Sequence, residues 1–239
     1  MTSVFFVLQF LACYGVVQWA IHHYGLKWAE ASLISKWTNL LYGVASGVFC
    51  AATIEVCVHD KAFMKMISSS EYSISTLLSL DLPANLQPYF KLYFYSKIWE
   101  AVDIVLVSLQ GFPINLHFRV HHNTTPLLAW ALMEHPSVAG VVFMILNTCM
   151  HFFVYLYFGG CNGSFFFAMT RLFGHLQLIW GMILSCCYAL FSGRAFSKEI
   201  LVGSCLPFML YCTYFILFQM EIGDEAKAAA KERKKKLKV

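Results

Sequence analysis

Apolar residues run along this chain in long unbroken stretches, and polar residues collect mainly between them. The stretches fall at about 3–21, 37–58, 89–110, 113–134, 137–159, 164–192 and 199–220. Crossing a hydrocarbon core of about 30 Å takes about 20 apolar residues in helix. The pattern therefore predicts an all-α polytopic membrane protein, a bundle of about seven transmembrane helices. A β-barrel would show alternating segments of about ten residues, which a run such as Ile200 to Phe218 contradicts. The one long stretch outside the membrane is His59 to Gln87, with Ser68, Ser69, Ser70 and a turn-like Asp81-Leu82-Pro83. No repeat or second domain is visible. The reading is one membrane domain over 1–222 and a basic tail over 223–239.

Composition agrees: 59% of the 239 residues are hydrophobic, 17% aromatic and 13% charged, which excludes a soluble globule. Met1 to Gln9 has no basic leader segment and the first run is long enough to span, so it reads as the first helix. The nine cysteines are scattered through the apolar runs and are expected to act mostly as small buried hydrophobes. Neighbours Cys186 and Cys187 cannot readily bridge each other. Cys149 and His151, two apart on a helix, face different ways.

Charge decides the orientation. Seven of the seventeen basic residues lie in the last thirteen positions, Lys227, Lys231, Arg233, Lys234, Lys235, Lys236 and Lys238, so the tail is placed in the cytosol and the amino terminus on the lumenal side. The loops do not add to this: Lys27 and Lys36 fall inside, and Lys61, Lys65, Arg194 and Lys198 outside. The tail also resembles the lysine-rich endings that retain proteins in the endoplasmic reticulum, with Leu237 where a dilysine signal has lysine. It reads equally as a polybasic end near anionic lipid.

Against this background, polar groups inside the runs carry the chemistry, because an ionised side chain in hydrocarbon costs about 2.5–3.5 kcal/mol on insertion scales. The third run holds Lys97, Glu100 and Asp103 in KIWEAVD; steps of three keep them within one arc of a helix, where they can neutralise one another. An ion-pair rivet between helices is the structural alternative. The fourth run holds His117, Arg119, His121 and His122; His117 and His121 share a helix face and the neighbouring histidines do not. The sequon at Asn123 lies at membrane depth and reads as no glycan acceptor. The fifth run places Asn147, His151 and Tyr155 on one stripe beside Tyr157, and the sixth adds Arg171, His175 and Gln177. Four consecutive helices thus carry donors and bases, as a catalytic interior would.

These strings, in this order, resemble the ELO family of fatty acid elongases, which shows KxxExxD, HxxHH, NxxxHxxMYxYY and TxxQxxQ. KIWEAVD matches the first, with Ile104 where threonine often follows. NTCMHFFVYLYF matches the third, with Val154 for methionine and Phe158 for the last tyrosine. The box departs: Phe118 stands at its first histidine and His117 is displaced by one residue. In the fourth string Gly174 replaces threonine, Gln177 is kept, and Trp180 replaces a second glutamine. The resemblance implies a divergent condensing enzyme that joins a fatty acyl-CoA to malonyl-CoA in the endoplasmic reticulum membrane. It implies an acyl-imidazole on His121, with His122 and His151 polarising the thioester or handling the malonyl unit. Lys97, Glu100, Asp103, His117, Asn147, Tyr155 and Gln177 would support them. No metal or other cofactor and no nucleic acid is expected; the reductases and dehydratase of the elongation cycle are expected partners.

Three alternatives stay open. HxxxHH also suits a membrane di-iron desaturase or hydroxylase, which needs about eight histidine ligands; the chain has nine histidines, but His22, His23, His59 and His135 stand apart. A seven-helix receptor or transporter would be a non-enzyme, although the last run lacks the lysine of a retinal protein and no repeats appear. A catalytically silent elongase relative is the third.

Overall fold

The structure, a computed structural model, describes residues 4–68, 82–112, 114–191 and 201–236. Ser69, Ser70, Asp81, Arg194, Lys198, Ile200, Leu237 and Lys238 lie outside the described residues. Every regular element among those described is helical: α1 (Val4–His23), α2 (Ala31–His59), α3 (Lys61–Ser68), α4 (Gln87–Trp99), α5 (Ala101–Leu109), α6 (Leu116–Glu134), α7 (Val138–Phe158), α8 (Ser164–Phe191) and α9 (Leu206–Lys236). A 3-10 turn (Ala84–Leu86) leads into α4, and a π-helical turn (Leu201–Cys205) leads into α9. The last helix runs without a break from its apolar part into the basic tail.

Among the described residues, five helices are long and apolar enough to cross a membrane: α1, α2, α7, α8 and the segment Val202–Asp224. The other two expected runs are helical but differ from a plain span for a chemical reason. The run expected at 89–110 is divided at Glu100 into α4 and α5, and α6 is diluted by its histidines and other polar groups. At the division, the Asp103 amide donates to the Glu100 carbonyl at 3.1 Å, a three-residue step that tightens the helix by a turn.

Local signals start the helices. Asn115 accepts a hydrogen bond from the Phe118 amide at 2.7 Å and Ser137 accepts one from the Gly140 amide at 3.1 Å, so each caps the helix that follows it. Asp60 does the same for α3 through the Phe63 amide at 2.8 Å, and takes the Asn85 amide at 2.9 Å with its other oxygen. These bonds hold its carboxyl below the ordinary aspartate range.

The helices close a ring in the order α2, α7, α8, α9, α6 and the broken α4–α5 segment, with α1 outside against α5 and α6. The tightest seam is α2 on α7. A Cβ on Gly47 would stand 2.7 Å from the Phe152 ring, and one on Gly43 would stand 3.1 Å from the Leu156 backbone and side chain. Small residues four apart let two membrane helices approach, since dispersion replaces the hydrophobic effect there. Gly47→Val should therefore overpack the seam and cost about 1–3 kcal/mol. A lowered unfolding temperature of the detergent-solubilised protein checks this; an unchanged one would show that the seam yields.

The cysteines depart from expectation. Only Cys50 and Cys57 are buried; Cys13 and Cys186 are exposed on the outside of apolar helices, where lipid asks only for an apolar side chain, and Cys161 is exposed in the connection between α7 and α8.

Candidate active site

Glu100, at the division between α4 and α5, is the hub. Its Oε1 accepts from the Lys97 ammonium at 2.5 Å and from the Tyr42 hydroxyl of α2 at 2.6 Å. Lys97 also donates to His151 Nε2 at 3.1 Å, which makes that nitrogen the acceptor and puts the ring proton on Nδ1. Lys97 is 1% exposed and Glu100 2%, so the pair survives burial only because each charge has partners. Lys97 and Glu100 thus neutralise each other as their spacing predicts. Asp103 does not join them: it pairs across the ring with the Tyr155 hydroxyl of α7.

The α7 stripe faces inward, with Asn147, His151 and Tyr155 all buried. Asn147 is held from both sides, accepting from Tyr93 at 2.9 Å and donating to Gln177 of α8 at 2.7 Å. The Tyr155 ring stacks on His151 at 5.3 Å and meets Tyr42 edge-on at 4.5 Å. Lys97, itself held by Glu100 beside Tyr42, and the stacked Tyr155 therefore fix one imidazole, the arrangement a preorganised site requires.

On α6 the histidines separate by face. His122 is buried against the α4–α5 break, its ring directed to the Glu100 carbonyl. His121 packs edge-on to Tyr214 of α9 at 4.8 Å, with its ring 5.3 Å from that of His122. Tyr214 is set in turn by a 2.6 Å bond with Thr124. Pro126 lacks the amide that would bond the His122 carbonyl, so the helix is loosened just past the pair. His117 shares the His121 face, the two rings 5.8 Å apart, and bonds Glu221 Oε2 at 2.6 Å; Glu221 also takes the Asn115 amide at 2.7 Å. This pair is part exposed, at 19% and 31%, so a double-mutant cycle of His117→Ala and Glu221→Ala should return no more than about 1 kcal/mol of coupling in thermal unfolding. A larger value would mark a structural clamp.

These groups line a chamber of about 390 Å³ that His117, His121, His122, His151, Arg171 and Glu221 share with apolar walls from Phe118, Val154, Phe167, Leu178 and Phe218. Arg171 stacks over Phe167, its guanidinium 4.3 Å from the ring centre. Donor atoms of Glu100, His121 and His151 lie within 4.8 Å of one another, close enough for one cation to bridge. The Lys97 ammonium already supplies a cation to Glu100 and His151. Three buried atoms beside it have no hydrogen-bond partner among the described residues: Glu100 Oε2, His122 Nδ1 and His151 Nδ1. Buried polar groups are rarely left so, and here His122 and His151 line the chamber a substrate would enter.

The remaining sequence candidates divide. Arg119 is exposed and stands outside the chamber. His175 bonds the Arg171 carbonyl at 2.7 Å and faces the Gln219 side chain at 2.9 Å. Phe118, in the displaced box, lies 4.3 Å from the His122 ring. A Cβ on Gly174 would stand 3.0 Å from Phe218, so threonine there would crowd that ring. Trp180 faces outward, and Asn123 receives the Gln18 amide of α1 at 3.3 Å. His22, His23 and His59 are exposed and far from a common centre; His59 bonds the Glu55 carbonyl. Sequence reasoning missed Tyr42, Tyr93, Tyr214 and Glu221. Glu221 sits one residue past the last expected span, and the tyrosines lie in apolar runs with no motif to mark them.

Comparison with known proteins agrees with the strings. The model of the family described as ELO: GNS1/SUR4 family matches residues 1–228. "Very long chain fatty acid elongase 4" of Trypanosoma cruzi (strain CL Brener) is 26% identical over 142 residues, 55% of this chain and 48% of that protein. "Fatty acid elongase 3" of the same organism is 32% identical over 66 residues, 28% of this chain and 22% of that protein. "Fatty acid elongase 2" of Trypanosoma brucei brucei (strain 927/4 GUTat10.1) is 38% identical over 71 residues, 29% and 26% respectively. The chain thus spans about half or less of these relatives' length. No solved structure matches it. With the family match running along nearly the whole chain, and the polar strings lining one chamber, this chain belongs to the ELO (GNS1/SUR4) family.

Proposed function

We propose that this protein is a fatty acid elongase of the endoplasmic reticulum membrane that condenses a fatty acyl-CoA with malonyl-CoA to 3-oxoacyl-CoA, CoA and carbon dioxide. The observation that carries this is the meeting of His121 and His151, from different helices, in the wall of one chamber, with Glu100 within 4.8 Å of both. In the first half-reaction a neutral nitrogen of His121 attacks the thioester carbonyl. The carbon–sulfur bond breaks, CoA leaves, and an acyl-imidazole remains. In the second, malonyl-CoA loses carbon dioxide and its enolate carbon attacks the acyl carbonyl, which breaks the carbon–nitrogen bond and restores the imidazole. The unpartnered Nδ1 of His151, which carries the ring proton, is available to polarise the thioester oxygen or the enolate, and the unpartnered Nδ1 of His122, whose ring is directed to the Glu100 carbonyl, is available as a base toward the malonyl unit.

Lys97, Glu100 and Tyr42 set the tautomer and angle of His151, while Asn147, Gln177, Tyr155 and Asp103 hold the α7 stripe in place. Arg171 at the chamber wall suits a CoA phosphate or the malonyl carboxylate. The carboxyl terminus is placed in the cytosol, where CoA substrates are found. A 3-oxo product must be reduced, dehydrated and reduced again to become a saturated chain, so enzymes of those classes are the expected partners. The chemistry uses only the two substrates and side chains of this chain. Membranes containing the protein, given radiolabelled malonyl-CoA and a panel of medium to very long acyl-CoAs, should form labelled products two carbons longer. No label with any acyl-CoA, where a control elongase works, would sink the proposal.

A further inference from the structure

We propose that His117, held by Glu221, is the base that serves His121: it takes the ring proton that His121 sheds on becoming an acyl-imidazole and returns it when the acyl group departs. This rests on the function proposed above. The displaced histidine box is what places it. His117 lies one turn before His121, their ring centres 5.8 Å apart, while Phe118 takes the position against the His122 ring at 4.3 Å. His117, His121 and Glu221 line the same chamber, near enough for a proton to pass between the rings directly or through one water. An ionised carboxylate only accepts, so the 2.6 Å bond to Glu221 Oε2 fixes the His117 proton on Nδ1 and leaves the lone pair on Nε2. Asn115 steadies that carboxylate by donating to Oε1 at 2.7 Å, while its side-chain oxygen caps α6 through the Phe118 amide. Glu221 is thus a positioning residue and His117 Nε2 the proton acceptor, the division of roles in a carboxylate–imidazole pair beside a nucleophile.

The proton can be followed through both half-reactions. Neutral His121 attacks with one ring nitrogen and carries its proton on the other. As the carbon–nitrogen bond forms and the carbon–sulfur bond breaks, CoA leaves as a thiolate that takes up a proton from solvent. The acylated ring is left with a positive charge until its N–H proton passes to His117. When the malonyl enolate carbon attacks the acyl carbonyl, the departing ring would be an imidazolate, and the proton returning from His117 makes it neutral. Electrostatics selects His117 among the groups nearby. A proton on its ring creates an imidazolium against the Glu221 carboxylate, whereas a proton on Glu100 would strand the buried Lys97 ammonium. Lys97 has no lone pair to offer, and His151 Nε2 already accepts from Lys97.

Full-length protein in excess over a fatty acyl-CoA, with malonyl-CoA withheld, isolates the step, and rapid quenching reads the rate of CoA release in the first turnover. His117→Ala should slow that release about a hundredfold or more and leave the acyl-CoA KM within about twofold. Imidazole added to His117→Ala should recover about tenfold or more of the rate, and should recover none in His121→Ala, which has no ring proton to lose. A His117→Ala rate equal to that of the wild type, or a loss that imidazole does not relieve, overturns the proposal and leaves the function standing. Glu221→Gln keeps the shape of the pair and removes its charge, so it decides the matter if His117→Ala does not fold. It should slow the same release about tenfold or more, and a wild-type rate overturns the proposal. Wild-type protein that releases no CoA overturns the function itself, and the proposal with it.

Discussion

His121→Ala is expected to lower the condensation rate about a thousandfold or more in membranes holding normal amounts of folded protein, because it removes the proposed acyl acceptor outright. His151→Ala should cost about 10²–10⁴-fold, in the range of a group that polarises or transfers a proton. The two differ in kind as well as size. Acyl-CoA labelled in the fatty chain should leave covalent label on wild-type and His151→Ala protein when malonyl-CoA is withheld, and none on His121→Ala. Label retained by His121→Ala would move the acceptor to another residue. Both imidazoles border the same chamber, but only His151 is held by a lysine; His121 rests on the edge of Tyr214, free to carry an acyl group.

The second large effect concerns stability. Lys97→Met strands the Glu100 carboxylate in a site 2% exposed, with Tyr42 as its remaining donor. Breaking one side of a buried ion pair costs about 3–5 kcal/mol, so the unfolding temperature should fall by about ten degrees or more. The double variant Lys97→Met with Glu100→Gln removes both charges and should regain most of that loss. Activity should stay low in the double variant, since nothing then holds His151 Nε2. A double variant that recovers both would mean that the pair is only the helix rivet considered from the sequence. Single-variant stability equal to wild type would show that water reaches Glu100.

Much of the site was legible before any coordinates because hydrocarbon makes polar residues conspicuous. Asn147, His151 and Tyr155 are a stripe by spacing alone, and they are a buried stripe in the structure. The same rule overreached where a residue near a helix end finds its own way out. Arg119 sits in the first turn of α6 and is exposed, outside the chamber. It also fell short for Tyr42, Tyr93 and Tyr214. A tyrosine in an apolar run looks like any aromatic until its hydroxyl is seen to reach Glu100, Asn147 or Thr124 across tens of positions.

By itself the sequence determined that the chain is helical and membrane-embedded, and which helices carry charge, because both follow from period and composition within single segments. Its ordered strings also carried the family resemblance. Tertiary structure decided which polar groups pair. The break at Glu100 turns Asp103 away from Lys97 and toward Tyr155, and the ring order brings α4, α6 and α7 to one centre although α6 and α7 carry their histidines about thirty positions apart. The tertiary structure also decided the shape of the interior. How tightly the bundle closes depends on contacts such as Gly181 against Tyr211, where a Cβ would stand only 2.7 Å from the ring, and no local period encodes such contacts.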